Sequence, residues 1–495
     1  MSGKNLQHKF TYDDLREWLA EADKLGEVRY VDNLSWEREI GMVTEMLHHT
    51  EPAPAALFDN VPGCPKGFRV LTNFFGGKRQ NMTLGFPESI SRLELSQGFL
   101  EVYENEDNQP IPHEIVEDGP IFENVLTGDD VDLLKFPTPK WHEKDGGRYL
   151  GTGSYNVTRD PEEDWINLGT YRVMIHDKNT AGFYISPGKH GRIHRDKYQA
   201  RGEKMPVAVV LGGDPMTFLM SSSEVPYGLC EYDLMGGLRG GAIKCVEGKV
   251  TGLPFPANAE IVLEGWVDPN EFREEGPFGE WTGYYASDVR PEPVMHIEAI
   301  YHRNDPIILG CPPQRPPDEL ARYRAVARSA LLQRSIEAAG VPDVTAVWAH
   351  EIGTARMFVA VSIKQRYAGH ATQAGHVACQ CHVGAYAGKY VVVVDDDIDV
   401  SDLEEVMWAM VTRSDPATSI DIIRNAWSTP LDPRIDPVDR ENNNFTNSRA
   451  VIDACRPYHW RDQFPPVNKP SAELAKETRE RFSYLLDGSK PPKSN

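Results

Sequence analysis

Between residues 124 and 298 the chain carries a series of short β-rich segments, and this series limits the folds open to it. β-Branched and aromatic residues favour strands, whereas Gly and Pro end them. Turns rich in Gly and Pro separate the segments, which lie at 155–158, 171–175, 207–211, 259–265 and 294–298. We therefore expect a mainly antiparallel barrel or sandwich, interrupted by one helix at about 194–201.

The residues before this series predict an N-terminal α/β unit. A first helix places Leu15, Trp18 and Leu19 on one face, and Thr11 stands where a capping side chain is expected. The other predicted elements are helices at about 36–49 and 87–100 and short buried strands at 56–58 and 69–72.

The residues after about 316 return to α/β alternation, beyond a proline-rich boundary at 312–317. The predicted elements are helices at about 319–339 and 403–412, strands at 345–348, 358–363 and 390–394, and a charged tail helix at about 472–486. We divide the chain into an N-terminal α/β domain (1–118), a central β domain (119–315), a C-terminal α/β domain (316–465) and a linker with a helical arm (466–495).

Two clusters of potential ligand residues lie in the C-terminal region. The acidic run at 395–399 has a spacing compatible with a metal site, but we interpret it as a loop that caps the following helix through Ser401. Cys379 and Cys381 form a CxC without a second Cys pair or a His cluster, and we interpret them as structural thiols.

The charge balance bears on which partners the chain can have. It has 52 basic and 74 acidic residues, a net charge of −22, and this excess of acid argues against nucleic-acid and anionic-membrane partners. Seven widely spread cysteines are typical of a reduced protein, and no long apolar run or hydrophobic signal segment is present. We expect a cytoplasmic enzyme without a membrane anchor.

One stretch carries the pattern of an active site. Glu275 and Glu280 bracket a Gly-Pro-Phe-Gly turn, which directs nearby side chains to one place. A solvated turn with two surface carboxylates is the alternative interpretation. The aromatic flank favours the active-site interpretation. Rings that exclude water raise the pKa of a nearby carboxyl, and a proton donor must be protonated. That flank consists of Phe278, Trp281, Tyr284 and Tyr285.

A second group of residues could hold a divalent cation. Asn167, His190 and Glu231 come from three separate segments and offer an amide oxygen, an imidazole and a carboxylate, a donor set that suits Mn²⁺ or Mg²⁺ bridging a phosphate. Nicotinamide, P-loop, zinc-hydrolase and serine-hydrolase enzymes lack support, because the chain has no GxGxxG before a helix, no GxxxxGK[ST], no HExxH and no GxSxG.

Taken together, these blocks resemble the UbiD family of decarboxylases, which use prenylated FMN. The resemblance extends over nearly the whole chain in order and spacing. Its motifs are DGG at 145–147, INLGTYR at 166–172, PGKH at 187–190, EYDLMGG at 231–237, EGPFGE at 275–280 and RYAGH at 366–370. It implies that the central domain is a flavin-reductase-like split β-barrel.

The resemblance also implies roles for individual residues. Asn167, His190 and Glu231 would hold Mn²⁺ (or Mg²⁺) against the cofactor phosphate, and a neighbouring K⁺ would lie near Trp165 and Ser222. Arg172, Glu275 and Glu280 would form the catalytic network, with Glu280 the proton donor and Glu275 paired with Arg172. The remaining residues implied to contact the cofactor are Gly169, Thr170, Tyr171, Arg172 and Lys189.

The implied activity is the reversible, non-oxidative decarboxylation of an aromatic or heteroaromatic acid through a covalent prenylated-FMN adduct. Lys189 and Trp281 stand where cinnamate-type members carry Gln and Met, which implies a substrate other than a phenylacrylate. An aryl acyl-CoA or α,β-unsaturated acid is an alternative substrate. A flavin-binding oxidoreductase and a non-catalytic assembly subunit are alternatives of other classes. The implied partners are the acid and CO₂, a flavin prenyltransferase that supplies the cofactor, and further copies of the chain in a homodimer or hexamer.

Overall fold

The computed structural model describes residues 7–223, 225–286 and 288–487. The N-terminal region alternates helix and strand. Its elements are α1 (Leu15–Lys24), β1 (Val28–Asp32), α2 (Glu39–His48), β2 (Ala55–Asp59), β3 (Arg69–Thr72), α3 (Gly77–Thr83) and α4 (Arg92–Tyr103). This confirms the expected α/β pattern.

Two predicted helix starts in this region are wrong. Asp14, not Thr11, caps α1, because its carboxylate accepts the backbone N–H of Glu17. Helix α4 begins at Arg92 rather than near residue 87, because Ser91 and Glu94 form a reciprocal capping box there.

The central region contains most of the strands. Its elements are β4 (Glu114–Ile115), β5 (Asn124–Thr127), β6 (Ser154–Arg159), β7 (Ile166–Gly169), β8 (Arg172–Ile175), β9 (Thr180–Tyr184), α5 (His190–Arg201), β10 (Met205–Leu211), α6 (Pro215–Ser221), α7 (Glu231–Arg239), β11 (Lys244–Glu247), β12 (Pro254–Pro256), β13 (Ile261–Glu275), β14 (Arg290–His302) and β15 (Ile307–Gly310). Helix α5 thus starts four residues before the predicted helix.

The main sheet has the order β7-β6-β10-β13-β14-β9-β8, with β5 also paired to β14. Its pairings are antiparallel, as expected. Among the residues described, no pairing joins β7 to β8, so the sheet is open and not a closed barrel. Strand β15 follows β14 in the chain but belongs to the N-terminal sheet, where it pairs in parallel with β3 in the order β1-β2-β3-β15.

The β13–β14 hairpin is much longer than the sequence predicts. We expected strands at 259–265 and 294–298, but pairing continues to Glu275 opposite Arg290. The outer half of β13 alternates between exposed and partly buried positions and carries Asp, Asn, Glu and Arg, so it lacks the apolar run by which a buried strand is recognised. This extension carries Glu275 to the end of a strand.

The C-terminal region forms a five-stranded sheet with helices. Its elements are α8 (Glu319–Ala338), β16 (Val344–Ala349), β17 (Phe358–Ile363), α9 (His370–Gln380), β18 (Tyr390–Asp395), α10 (Leu403–Arg413), β19 (Ile420–Trp427), α11 (Pro437–Glu441), β20 (Thr446–Asp453), α12 (Ala472–Arg481) and α13 (Tyr484–Asp487). The strand order is β16-β17-β18-β20-β19. The single predicted tail helix is therefore two helices.

The acidic run after β18 is a structural ion-pair cluster. Arg413 donates to Asp395 at 3.2 Å and to Asp397 at 2.9 Å, and Arg456 donates to Asp395 at 3.1 Å. Asp402, not the predicted Ser401, caps α10 by accepting two backbone N–H groups. None of the helices that the structure describes combines the length and apolarity needed to cross a membrane.

Candidate active site

The turn that links β13 to β14 brings three charged side chains together. Glu275 ends β13, Glu280 lies in the turn, and Arg172 begins β8 at one edge of the main sheet. Arg172 donates from Nη2 to Glu275 Oε2 at 2.6 Å and from Nη1 to Glu280 Oε1 at 3.3 Å. The predicted grouping of these residues is therefore present in the fold, with Arg172 shared by the two acids.

Burial strengthens this charged group. The side chains of Arg172 and Glu275 are 9% and 1% exposed, whereas that of Glu280 is 14% exposed. Burial alone would lower the pKa of Arg172, but the carboxylates of Glu275 and Glu280 raise it above its ordinary value. Arg172 is therefore a fixed positive charge, and Glu280 is the acid of the pair with access to its surroundings.

The aromatic flank differs from the sequence expectation. Phe278 is 3% exposed, its ring centroid lies 4.0 Å from that of Tyr149, and the Arg172 guanidinium lies 5.5 Å from the Phe278 ring. Tyr284 and Tyr285, by contrast, are 61% and 39% exposed. Water exclusion around the acids thus comes from Phe278 and from Tyr149, a residue that sequence reasoning missed.

The backbone of the turn is held by the Asp145–Gly146 segment. Gly146 donates to the Pro277 carbonyl at 2.8 Å, and Gly279 donates to Asp145 Oδ1 at 3.3 Å. A Cβ at Gly146 would lie 1.9 Å from the Gly276 carbonyl oxygen, so only glycine permits this approach. The DGG motif therefore has a structural role, because it holds the turn that positions Glu275 and Glu280.

The three residues of the second predicted group lie on three different elements. Asn167 lies on β7, His190 is the first residue of α5, and Glu231 is the first residue of α7. Glu231 Oε2 accepts the Leu168 backbone N–H at 2.8 Å, which ties α7 to β7 beside Asn167. The His190 ring lies 5.1 Å from the ring of Trp165, the residue before β7.

Tyr171 orders this second group from within. Its hydroxyl lies 3.1 Å from Asn167 Nδ2, which donates to it, and accepts the Gly191 N–H at 2.9 Å. A Cβ at Gly169 would fall 2.2 Å from the Tyr171 ring, and one at Gly191 would fall 2.4 Å from its hydroxyl. Tyr171 is therefore a buried support for the donors, and burial raises its pKa to about 12.

The chemical types of the donors in this group suit a divalent cation. The Asn167 amide nitrogen donates hydrogen bonds to the Tyr171 hydroxyl and to Thr158 Oγ1. The amide oxygen is therefore the atom of Asn167 that would ligate a cation. Burial, together with the positive charge of Lys189, lowers the pKa of His190 and so keeps its imidazole neutral. Glu231 is 2% exposed, and burial raises its pKa to about 8, so a cation would stabilise its charged form.

The other predicted contact residues occupy more exposed positions. Thr170 and Lys189 are exposed, and Ser222 is half-buried with its hydroxyl donating to the Leu219 carbonyl at 2.7 Å. Trp165 is buried and Trp281 is half-buried.

Sequence reasoning also missed Thr158 and His194, two buried residues that support Asn167 of the donor group. The His194 ring nitrogen Nδ1 lies 3.0 Å from Thr158 Oγ1, the hydroxyl that accepts from Asn167. Burial lowers the pKa of His194 to about 4, so it is neutral. His194 lies one helical turn after His190, and this i, i+4 spacing is the signal that could have revealed it.

Arg356 of the C-terminal region reaches the active-site turn. Its guanidinium lies 5.8 Å from the Trp281 ring and 5.3 Å from the Tyr386 ring, and the Tyr386 ring lies 5.0 Å from that of Trp427. Arg440 also donates to the Ala286 carbonyl in the same turn. No sequence pattern signalled the contacts with the turn, because Arg356 lies 75 positions from Trp281 and Arg440 lies 154 positions from Ala286.

Comparison with known proteins decides the family. Three UbiD models match the chain: the 3-octaprenyl-4-hydroxybenzoate carboxy-lyase N-terminal domain over 17–95, the Rift-related domain over 114–316 and the C-terminal domain over 323–454. The chain belongs to the UbiD family. It is thus a carboxy-lyase, as the sequence predicted.

Individual relatives agree with this assignment. A pyrrole-2-carboxylic acid decarboxylase of Pseudomonas aeruginosa is 32% identical over 86% of this chain and 87% of its own length. Vanillic acid decarboxylase of Sedimentibacter hydroxybenzoicus in its open form superposes with a TM-score of 0.83 at 28% identity, covering 96% of this chain and 100% of that one. An evolved dimeric HmfF of Pelotomaculum thermopropionicum in complex with prenylated FMN gives a TM-score of 0.77 at 26% identity over 94% of this chain and 100% of that one.

Proposed function

We propose that the chain catalyses the reversible, non-oxidative decarboxylation of an aromatic or heteroaromatic acid with prenylated FMN. The observation that carries this proposal is the buried group in which Arg172 contacts both Glu275 and Glu280. UbiD relatives that act on pyrrole-2-carboxylic and vanillic acids, and one in complex with prenylated FMN, support the reaction and the cofactor. When bound, the cofactor supplies an electron sink for the carbon that loses CO₂.

Glu280 is the proton donor in this proposal. It is the more exposed acid of the pair, and its contact with Arg172 at 3.3 Å is the longer one, so it can exchange a proton without breaking the buried Arg172–Glu275 pair. Glu275 keeps Arg172 in place, and Arg172 orients the Glu280 carboxyl. In the reverse direction, Glu280 takes the proton back from the ring carbon.

Asn167, His190 and Glu231 would hold Mn²⁺ (or Mg²⁺) together with the cofactor phosphate. The exposed Thr170 and Lys189 are near neighbours of these donors in sequence and, with Gly169 and Tyr171, would complete the cofactor site. We assign K⁺ to the neighbourhood of Trp165 and Ser222. Around this site we propose that the open main sheet is the flavin-reductase-like split barrel, within the domain divisions at 118, 315 and 465.

The substrate wall would be formed by Trp281 and Arg356. The guanidinium over the indole and over Tyr386 gives this side of the pocket an aromatic and a positively charged surface, which suits a planar aromatic anion. Lys189 would add a second positive charge. The alternative substrate is an aryl acyl-CoA or an α,β-unsaturated acid.

Production of the protein together with a flavin prenyltransferase tests the proposal. The purified protein should carry the absorbance of a modified flavin and release CO₂ from at least one acid in a panel of pyrrole, furan and benzene carboxylates. Protein that binds unmodified FMN and oxidises a reduced nicotinamide would instead favour the flavin oxidoreductase alternative. We also propose a homodimer or hexamer, which the mass of the particle in solution would test.

A further inference from the structure

The segment before β4 lies directly against helix α7. A Cβ at Gly236 would lie 2.6 Å from the Ile111 carbonyl oxygen, and one at Gly237 would lie 2.5 Å from the Gln109 carbonyl oxygen. Ile111 also donates its backbone N–H to the Asp233 carbonyl at 2.9 Å. Two glycines in the second turn of α7 and a backbone hydrogen bond to its first turn therefore hold this segment at a fixed distance from the helix.

This packing brings three metal-ligating side chains together. Cys230 caps α7, Asp233 is its third residue, and His113 comes from the packed segment. One donor atom from each lies within 4.8 Å of the other two. His113 Nδ1 is 2.9 Å from Asp233 Oδ1, which also accepts the His113 backbone N–H at 3.0 Å. The cluster is thus built on a helix and a fixed backbone, which favours a defined geometry.

The donor types favour a thiophilic divalent cation. Zinc accepts thiolate, imidazole and carboxylate at about 2.0–2.3 Å, so tetrahedral donors lie roughly 3.3–3.7 Å apart and the longest separation here needs to close by about 1 Å. A thiolate and a carboxylate balance the two charges of the ion. The Cys230 sulfur accepts from the backbone N–H groups of Tyr232 and Asp233, and it keeps a lone pair with which to bind a cation.

We propose that His113, Cys230 and Asp233 bind Zn²⁺ or a similar thiophilic cation and thereby fasten the segment before β4 to α7. Cys230 is 7% exposed, whereas the side chains of His113 and Asp233 are 20% and 26% exposed. One side of the ion is therefore open to water, as in three-ligand zinc sites.

The site is separate from the cation site proposed at Glu231. Glu231 lies between Cys230 and Asp233 in sequence, but its carboxylate accepts from Leu168 of β7 rather than turning to His113. The two sites would hold the same first turn of α7 from two directions. The zinc site does not depend on the proposed decarboxylation, and the test below does not measure activity.

Cobalt titration of the purified, flavin-containing full chain tests the proposal. Tetrahedral Co²⁺ with a thiolate ligand gives intense bands in the red, where oxidised flavin does not absorb. We expect one equivalent of Co²⁺ to produce these bands and Zn²⁺ to abolish them. X-ray absorption of the zinc-loaded protein should show one sulfur neighbour at about 2.3 Å. Metal bound only at the Asn167 group would show nitrogen and oxygen neighbours alone.

Matched variants locate the ligands. Cys230→Ser should abolish the bands, and His113→Gln should weaken binding at least about 10-fold. Cys381→Ser, a half-buried thiol elsewhere in the chain, should leave both unchanged. Absence of a sulfur neighbour, or bands that persist unchanged in Cys230→Ser, would overturn the proposal. If Cys230→Ser does not fold, the sulfur signal of the natural protein decides by itself.

Discussion

Two buried acidic regions of the molecule differ in how their charge is balanced. Asp395 ends strand β18 and Asp397 follows it, and both are neutralised by Arg413 and Arg456 with contacts of 2.9–3.2 Å. Glu231 is as deeply buried, yet in the part of the chain that the structure describes no Lys or Arg forms an ion pair with it. Burying a charge without a partner costs free energy. The Asp395–Asp397 cluster is neutralised within the protein, whereas Glu231 would need a cation to stabilise its charged form.

The active-site acids combine features of both regions. Glu275 and Glu280 share one arginine, and Arg172 has charge enough to neutralise only one of the two carboxylates. Glu275 makes the short, fully buried contact, and Glu280 makes the longer one. This asymmetry separates a positioning acid from an acid that can exchange protons.

Glu280→Gln should have the largest effect, because glutamine cannot give up or take back the proton that the proposed reaction transfers. Folding and flavin content should survive, since Gln keeps the shape and polarity of the side chain. General acid catalysis typically contributes ~10²- to 10⁴-fold, so turnover should fall by at least that much. Exchange of the product's ring hydrogen with D₂O, measured without CO₂, should vanish too.

Glu274→Gln is the matched control, because this exposed neighbour lies outside the ion-pair group. It should retain turnover and exchange. If Glu280→Gln exchanged hydrogen at the natural rate, the proton would come from Glu275 or from water.

Arg413→Ala should destabilise the C-terminal region without affecting the cofactor. Its side chain is 2% exposed, and its loss would leave Arg456 as the one basic partner of Asp395 and Asp397 among the residues described. Breaking a buried pair in this way costs about 3 kcal/mol. Denaturant unfolding should show this loss, whereas the exposed Arg424→Ala should not. Loss of flavin from a folded Arg413→Ala would show that the two acidic regions are coupled.

Glu231→Ala should have the opposite pattern. It removes a buried carboxyl that forms no ion pair with a Lys or Arg among the residues described, so the metal-free protein should lose no stability from a broken ion pair. Metal affinity should fall at least ~10- to 100-fold, and bound flavin with it. His190→Ala should behave likewise, and metal and flavin contents of the purified proteins measure both. Full flavin content and activity in either variant would contradict the assigned cation site.

The sequence predicted the order of the elements and the grouping of Arg172 with Glu275 and Glu280 far better than it predicted where elements end or which distant residues pack together. Periodicity revealed the buried strands because their residues are apolar, but it missed the outer half of β13, where nearly all the residues are polar or charged. The position of Glu275 at the end of this long strand was therefore not predictable from local pattern.

Long-range contacts explain the other misses. Tyr149 replaces Tyr284 and Tyr285 as the aromatic neighbour of the buried turn, and Arg356 joins Trp281 from the C-terminal region. Each contact depends on how distant elements pack, which hydrophobic spacing does not encode. The caps at Asp14 and Asp402 were missed for a local reason: Thr11 and Ser401 are also acceptable caps, and only backbone geometry selects between neighbouring candidates.

A pH titration of the metal-free protein sharpens the contrast at Glu231. Its folded-state pKa of about 8 lies above the ordinary value of 4.5, so the folded state holds the proton more tightly than the unfolded state. This contribution to stability is therefore present at low pH and lost as pH rises toward 8, by at most about 1.4 kcal/mol per pH unit. Glu231→Gln should remove that slope in denaturant unfolding, and added Mn²⁺ should oppose it. An identical slope in Glu231→Gln would assign it to other groups.

Trp281→Met should have the smallest effect, because it changes the pocket wall and neither acidic region. Trp281 is half-buried, and Arg356 covers its ring at 5.8 Å. A flexible methionine removes the flat surface that Arg356 and the indole form together, so the ratio of kcat/KM for acrylic over aryl acids should rise by up to about 10-fold. Flavin and metal contents should stay constant, since both depend on the Asn167 group. The exposed Trp460→Met serves as the control for the loss of an indole. A ratio that is the same in all three proteins, measured over a panel of both acid classes, would place Trp281 outside the pocket and leave the substrate wall to other residues.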